Sequence, residues 1–193
     1  MFLDLLNTWA VSFDLPILDW IQLNLANPFL DMIMPWITVL GDAGIFWMIV
    51  AAVLAFTKKY RRVGFGMAIA MALGLVVCNM ILKPCVGRIR PYDFQETLGV
   101  TINLLIEKQH DFSFPSGHTI ASFEASVVLL KNSKKMGIPA MILAVLIAFS
   151  RLYLYVHYPT DVIASIILGT IFGIIGYWVS HSISFSRKGK YQK

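Results

Sequence analysis

Charge is scarce in this chain. Asp, Glu, Lys and Arg together make up 14% of its 193 residues, where a soluble domain carries about a quarter. Cysteine is almost absent: Cys78 and Cys85 have neither the spacing of a metal site nor the number for a disulfide framework. Cys78 falls inside an apolar run and reads as a small filler. No low-complexity tract, internal repeat or cluster of carboxylates suited to Mg²⁺ or Ca²⁺ interrupts the sequence. The first twenty residues lack the basic stretch of a signal peptide, and Asp4, Asp14 and Asp19 break their apolar run.

What is present is hydrocarbon. The chain is 58% hydrophobic with a mean hydropathy of +0.70. Residues 63–82 and 162–180 run without a single charge, and each is long enough to cross about 30 Å of bilayer as a helix. The sequence therefore predicts an all-α, multi-pass membrane helical bundle of five or six transmembrane helices. It forms one domain, 1–193, in which residues 1–27 read as an amphipathic helix in the interface. Residues 28–57 read either as one bent span or as two short helices. Residues 63–82 then cross outward, 83–116 form an extracytoplasmic loop, 117–130 return, 136–156 cross outward, and 160–182 return. Gly169 and Gly173 suit close helix packing.

The net charge of +5 does not require nucleic acid. Eleven of the sixteen basic residues fall in three clusters, at 58–62, 131–135 and 187–193. Threading through the spans puts all three on one face, which the positive-inside rule makes cytoplasmic, C-terminus included. Lys83, Arg88, Arg90, Lys108 and Arg151 remain, all on the opposite side.

Those outward residues belong to three polar islands at the ends of spans. The first is KPCVGRIRP (83–91), where Pro84 disfavours helix at Lys83 and predicts that the span ends there. The second is PSGH (115–118), with Pro115 suited to a first helical turn and Ser116 and Gly117 leaving backbone N–H groups open to an anion. The third is SRLYLYVHYPTD (150–161), where Pro159 opens a helix and His157 stands four residues before Asp161. A carboxylate at that spacing can reach the imidazole, fix its tautomer and turn the other nitrogen toward a substrate. Arginine grips phosphoryl oxygens in pairs and lysine acts as a point charge. Cations, a helix N-terminus and two histidines together suit a phosphate.

These islands, K-x6-R-P, P-S-G-H and S-R-x5-H-x3-D in that order, resemble the three signatures of the type 2 phosphatidic acid phosphatase (PAP2) superfamily over roughly residues 60–180. The resemblance implies that His157 attacks phosphorus to form a phosphohistidine, with Asp161 orienting it. It implies that His118 protonates the leaving oxygen and then activates water. Lys83, Arg90, Ser116, Gly117 and Arg151 would hold the phosphoryl oxygens, with no metal and no cofactor. The implied protein is an integral lipid phosphatase of the cell membrane whose site opens on the extracytoplasmic face. Its partners are the bilayer and a lipid phosphate. Undecaprenyl diphosphate is the first expectation for substrate, ahead of phosphatidylglycerol phosphate and phosphatidic acid. A lipid phosphotransferase, a non-hydrolytic lipid-phosphate carrier and a vanadate-holding haloperoxidase relative are the alternatives, the last disfavoured by hydropathy.

Several residues stay outside this scheme. His181 and His110 read as interfacial or loop histidines. Arg88 is either a further phosphate contact or a solvated loop charge, and Asp42 a loop charge. Trp36, Trp47 and Trp178 read as belt or packing residues. Glu124, six residues into a span, must face the bundle interior or be neutral, because a central ionised residue costs about 2.5–3.5 kcal/mol; it either tunes the site or pairs with a residue such as Asn79.

Overall fold

The structure, a computed structural model, describes residue 6 and residues 8–183. The basic cluster at 187–193 and the expected cytoplasmic C-terminus lie outside the described residues. Within them every regular element is helical: α1 (Leu15–Leu25), entered through a π-helical turn Ala10–Asp14, α2 (Pro28–Val39), α3 (Ile45–Phe56), α4 (Arg61–Gly74), α5 (Pro91–Thr97), α6 (Gly117–Asn132), α7 (Lys134–Tyr153) and α8 (Pro159–Ser182).

Four segments are long and apolar enough to cross a membrane: Pro28–Phe56, Arg61–Thr97, Lys134–Tyr153 and Pro159–Ser182. Helix α6, at 16 residues, is shorter, and buries Thr119, Ser122, Glu124 and Ser126 along with its apolar residues. It can carry such polarity because α4, α7 and α8 enclose it. Arg90, beyond the end of α4, meets His157, beyond the end of α7, so both helices run toward the same end of the bundle. The chain must return between them, and α6 is that return. Helices α3, α4, α7 and α8 thus surround a buried central helix, α6.

The stretch 28–57 is two twelve-residue helices. Asn27 caps α2 by accepting from the backbone N–H of Phe29 and Leu30. The chain then turns through Ala43 and Gly44, both left-handed at φ 48° and 67°, before α3 starts. Helix α8 lies on α6 through small residues. A Cβ on Gly169 would sit 2.9 Å from the carbonyl oxygen of Ile120, and one on Gly173 2.9 Å from that of Glu124.

Two proline expectations need correction. Helix α4 does not stop at Lys83. It continues as a π-helix over Leu75–Leu82 and an α-turn Lys83–Val86, ending at Gly87 with φ 62°. Pro84 falls at the opening of that α-turn, just where the π register gives way. Pro115 does not open α6 either: Phe114–Pro115 is cis, Ser116 is the N-cap and Gly117 the first helical residue.

The N-terminal segment contributes structure that hydropathy could not reveal. Leu15, Leu18 and Ile21 pack against Tyr153, Leu154, Tyr155 and Tyr158, while Trp9, Phe13, Trp20 and Leu23 face outward.

Candidate active site

After α7 the chain reverses at Tyr155, a non-glycine residue at φ 59°. Such backbone is costly unless its surroundings hold it, and here α1 does so. The Tyr155 hydroxyl donates to Asp19 Oδ1 at 2.6 Å and accepts from Gln95 Nε2 at 3.0 Å. Gln22 Nε2 donates to the carbonyl of Tyr153 at 2.5 Å. The His157 N–H returns to the carbonyl of Arg151 at 3.3 Å, and Pro159 opens α8 with Tyr158 as N-cap.

This turn buries His157, with 1% of its surface exposed. Its Nδ1 lies 3.6 Å from Asp161 Oδ2 and 3.4 Å from Ser113 Oγ. Its Nε2 faces Arg90 Nη1 at 3.3 Å. Burial lowers the imidazole well below its usual range, and the charges of Arg90, Arg151 and Lys83 lower it further. The ring is therefore neutral; with its proton on the nitrogen that faces Asp161, the lone pair lies on Nε2, where the Arg90 guanidinium donates to it.

Asp161 is itself held from three directions. Ser113 Oγ donates to Oδ2, the Tyr158 N–H donates to Oδ2 at 3.1 Å, and Arg88 Nη1 donates to Oδ1 at 2.5 Å. Arg88 is thus neither a solvated charge nor a phosphate contact. It is fully buried, stacks 3.7 Å over the Tyr158 ring, and spends its other terminal nitrogen on Asp14 Oδ2 at 2.7 Å and the carbonyl of Leu6 at 3.0 Å. The chain Asp14–Arg88–Asp161 ties the N-terminal segment to the imidazole.

Lys83 and Arg90 converge on one oxyanion. The Lys83 Nζ and Arg90 Nη2 both donate to the carboxylate of Asp111, while Arg90 Nε donates to the Asp111 carbonyl at 2.9 Å and Nη1 to that of Val156 at 2.8 Å. Burial pushes the Asp111 carboxyl up, but the hydrogen bonds and charges of Lys83 and Arg90 prevail and bring it to about 2. The two cations expected to hold a phosphoryl group are thus brought together around a carboxylate of this chain.

His118 stands across the same cavity and its Nε2 bonds Asp42 Oδ1 at 2.7 Å. Asp42, read from sequence as a loop charge, is therefore a partner of the second histidine. Ser116 is buried, and its Oγ accepts from Thr119 Oγ1 at 3.0 Å. The Ser116 N–H donates to Ser165 Oγ at 2.8 Å. The amides of Gly117 and His118, at the first two helical positions, precede the first intrahelical bond and can receive an anion. Arg151 is more deeply set. Its Nη1 donates to Thr38 Oγ1 at 2.5 Å, whereas Nε and Nη2 are buried without a partner.

A cavity of about 620 Å³ joins these groups. Lys83, Arg90, Asp111, His118 and His157 line its polar mouth, and Ala52, Ala55, Gly64 and Ala68 line its continuation between α3 and α4. Such a shape takes a phosphate at one end and an aliphatic chain along the other. His110 is exposed and lines a separate depression. His181 bonds the carbonyl of Tyr177 on α8. No group of three or more His, Cys, Asp or Glu among the described residues could hold a metal ion.

The sequence profile of the PAP2 superfamily matches residues 59–184. An undecaprenyl-diphosphatase of Sulfolobus acidocaldarius is 35% identical over 150 residues, covering 76% of this chain and 66% of that protein. A phosphatidylglycerophosphatase B of Bacillus subtilis is 31% identical over 75% of this chain and 72% of its own. Among solved structures, the PAP2-type phosphatidylglycerolphosphate phosphatase of Bacillus subtilis superposes with a TM-score of 0.66 at 29% identity, covering 84% of this chain and 82% of that one. Aquifex aeolicus LpxE gives a TM-score of 0.70 at 27% identity over 84% and 93%.

Proposed function

This chain belongs to the PAP2 superfamily, and we propose that it hydrolyses the phosphomonoester or terminal diphosphate of a membrane lipid through a phosphohistidine. His157 Nε2 attacks phosphorus while Nδ1–H stays directed at Asp161, so the positive charge that develops on the ring meets a carboxylate. The P–O bond to the lipid breaks, and His118, held through Nε2 by Asp42, gives its proton to the departing oxygen. His118 then takes a proton from water as that water attacks phosphorus, the P–N bond breaks, and inorganic phosphate leaves. Lys83, Arg90 and the amides of Gly117 and His118 neutralise the phosphoryl oxygens. Arg151, with two unpartnered guanidinium nitrogens beside the cup, adds charge from behind.

The observation that carries this reading is the pair of carboxylate-buttressed histidines, His157–Asp161 and His118–Asp42, facing one cavity that also collects Lys83 and Arg90. The cavity's apolar continuation supports a substrate whose tail stays among the helices. We assign the site to the extracytoplasmic face because the basic residues at 58–62 and 131–135 cap the opposite end of the bundle. Undecaprenyl diphosphate, phosphatidylglycerol phosphate and phosphatidic acid are the candidate substrates.

The test is phosphate release from these lipids by purified protein in EDTA. We expect turnover that His157→Ala abolishes and millimolar vanadate inhibits; activity retained in His157→Ala refutes the mechanism.

A further inference from the structure

Below the phosphate cup the cavity lining is mostly small or apolar, with Met48, Phe65, Met71, Leu75 and Ile120 among the Ala and Gly residues, and Glu124 is the ionisable group among them. Glu124 is 1% exposed, lines this cavity, and leaves Oε1 without any hydrogen-bond partner. The Asn79 partnership considered from sequence is not among its contacts: no hydrogen bond joins the two. Its carboxyl lies instead against Gly74, where α4 passes into its π-helical stretch. A Cβ there would sit 2.0 Å from Glu124 Oε1, so the helix surface is shaped to admit the carboxyl. An unpaired carboxylate in apolar surroundings is costly, so a neutral acid with one O–H to donate is the form this groove holds.

Gly117, Ile120, Ala121 and Glu124 all line the cavity, spaced as one face of α6. From the open amide of Gly117 to Glu124 is seven residues, about 10 Å along the axis. A helical side chain reaches back toward the N-terminus, which brings the carboxyl to within about 7 Å of the phosphate level. That is the depth of the atoms joining a phosphoryl group to its lipid tail. An ester carbonyl of a glycerolipid phosphate lies six bonds from phosphorus, and the inner phosphate of a prenyl diphosphate lies nearer still.

We propose that Glu124 is a specificity-determining residue that donates a hydrogen bond to an oxygen acceptor carried by the substrate just beneath the phosphoryl group to be cleaved. The inference rests on the lipid phosphatase reading and deepens it. A lipid with such an acceptor satisfies the carboxyl, whereas a bare hydrocarbon chain leaves it unpaired. The acceptor can come from an ester carbonyl or from an inner phosphate, and substrates in pairs distinguish the two.

The experiment compares kcat/KM of the full-length protein for dioleoyl phosphatidic acid against hexadecyl phosphate, and for farnesyl diphosphate against farnesyl phosphate. In Glu124→Leu, at least one of these ratios should fall about tenfold, the loss expected for one buried hydrogen bond. A fall in the first pair identifies the ester, and in the second the inner phosphate. Glu124→Gln, which keeps a donor, should change the same ratio less than threefold. Gly74→Ala, which displaces the carboxyl without removing it, should lower the ratio in the same direction, so the inference does not depend on Glu124→Leu folding. Ratios unchanged in both Glu124→Leu and Gly74→Ala, or equal losses on all four substrates, would overturn the role of Glu124 alone. Absence of turnover of all four by the wild type would overturn it together with the phosphatase reading.

Discussion

The two ends of this bundle are built from the same helices by different physics. At the site end, burial is of charge: Arg88, Arg90, Arg151, His157 and Asp161 are each at most 3% exposed. They are held by hydrogen bonds that cross between segments far apart in sequence. At the opposite end, α3, α4, α6 and α7 meet through Ala51, Val63, Met67, Val128, Leu129 and Ala140, and α8 meets α4 through backbone. A Cβ on Gly176 would lie 2.3 Å from the carbonyl oxygen of Gly66. One end places charges precisely at the expense of burying them; the other supplies close packing that holds the helices in register. At the first, chemistry should fail even in protein that stays folded; at the second, folding should fail ahead of chemistry.

The largest expected effect is His157→Ala, which should lower kcat by about three orders of magnitude or more with little shift in thermal unfolding. A similar loss of both would erase the distinction between the ends. Next comes Arg88→Ala, which strands the carboxylates of Asp14 and Asp161 in the interior. We expect a loss of about 3–5 kcal/mol, read as a lowered unfolding midpoint, with activity falling even in the protein that stays folded. Gly176→Leu should destabilise by about 1–3 kcal/mol through overpacking. The folded fraction should keep wild-type kcat/KM, since the contact lies away from the phosphate cup.

The pH profile sharpens the same contrast. Because the folded-state pKa of His157 is lowered from its ordinary 6.5, the imidazole remains a free nucleophile as pH falls through 6.5. Protonation of the native ring opposes activity only further down, whereas its contribution to stability already declines below 6.5, because the unfolded chain binds the proton first. After correction for substrate ionisation, the acid limb of kcat/KM should therefore lie below 6.5; a limb centred there would mean the site is wetter than its burial implies. The smallest effect should come from Ile167→Val on the outward face of α8, where the side chain is 55% exposed, with a stability change within about 0.5 kcal/mol.

Much of this was readable from sequence where the determinant was local. His157 and Asp161 are four residues apart on a helix start that Pro159 announces, and Ser116, Gly117 and His118 follow one another at the opening of α6. Uncharged runs exposed α4 and α8 directly. What escaped was long-range. Nothing near Arg88 signals that it joins Asp14 to Asp161, since those partners lie 74 and 73 residues away. Asp42 looked like a loop charge, and nothing singled out Asp111, because their partners, His118 and the Lys83–Arg90 pair, are reached only after the bundle closes. The continuation of α4 past Lys83 escaped for another reason: Pro84 follows a π-helical stretch, which nothing in the local sequence announced. The helical bundle was foreseeable, but the enclosure of α6, and hence its tolerance for Glu124, depends on its neighbours.

The central claim is a covalent bond between phosphorus and one imidazole nitrogen, and it can be examined by quenching the enzyme during turnover of a phosphate-labelled lipid. His118→Ala, which cannot readily supply the proton or activate the water, is the variant in which any trapped intermediate should persist. The account predicts acid-labile, base-stable label on the peptide that contains His157, and none in the His157→Ala, His118→Ala double variant. Label on another residue, or turnover with no labelled protein at any time, would contradict it.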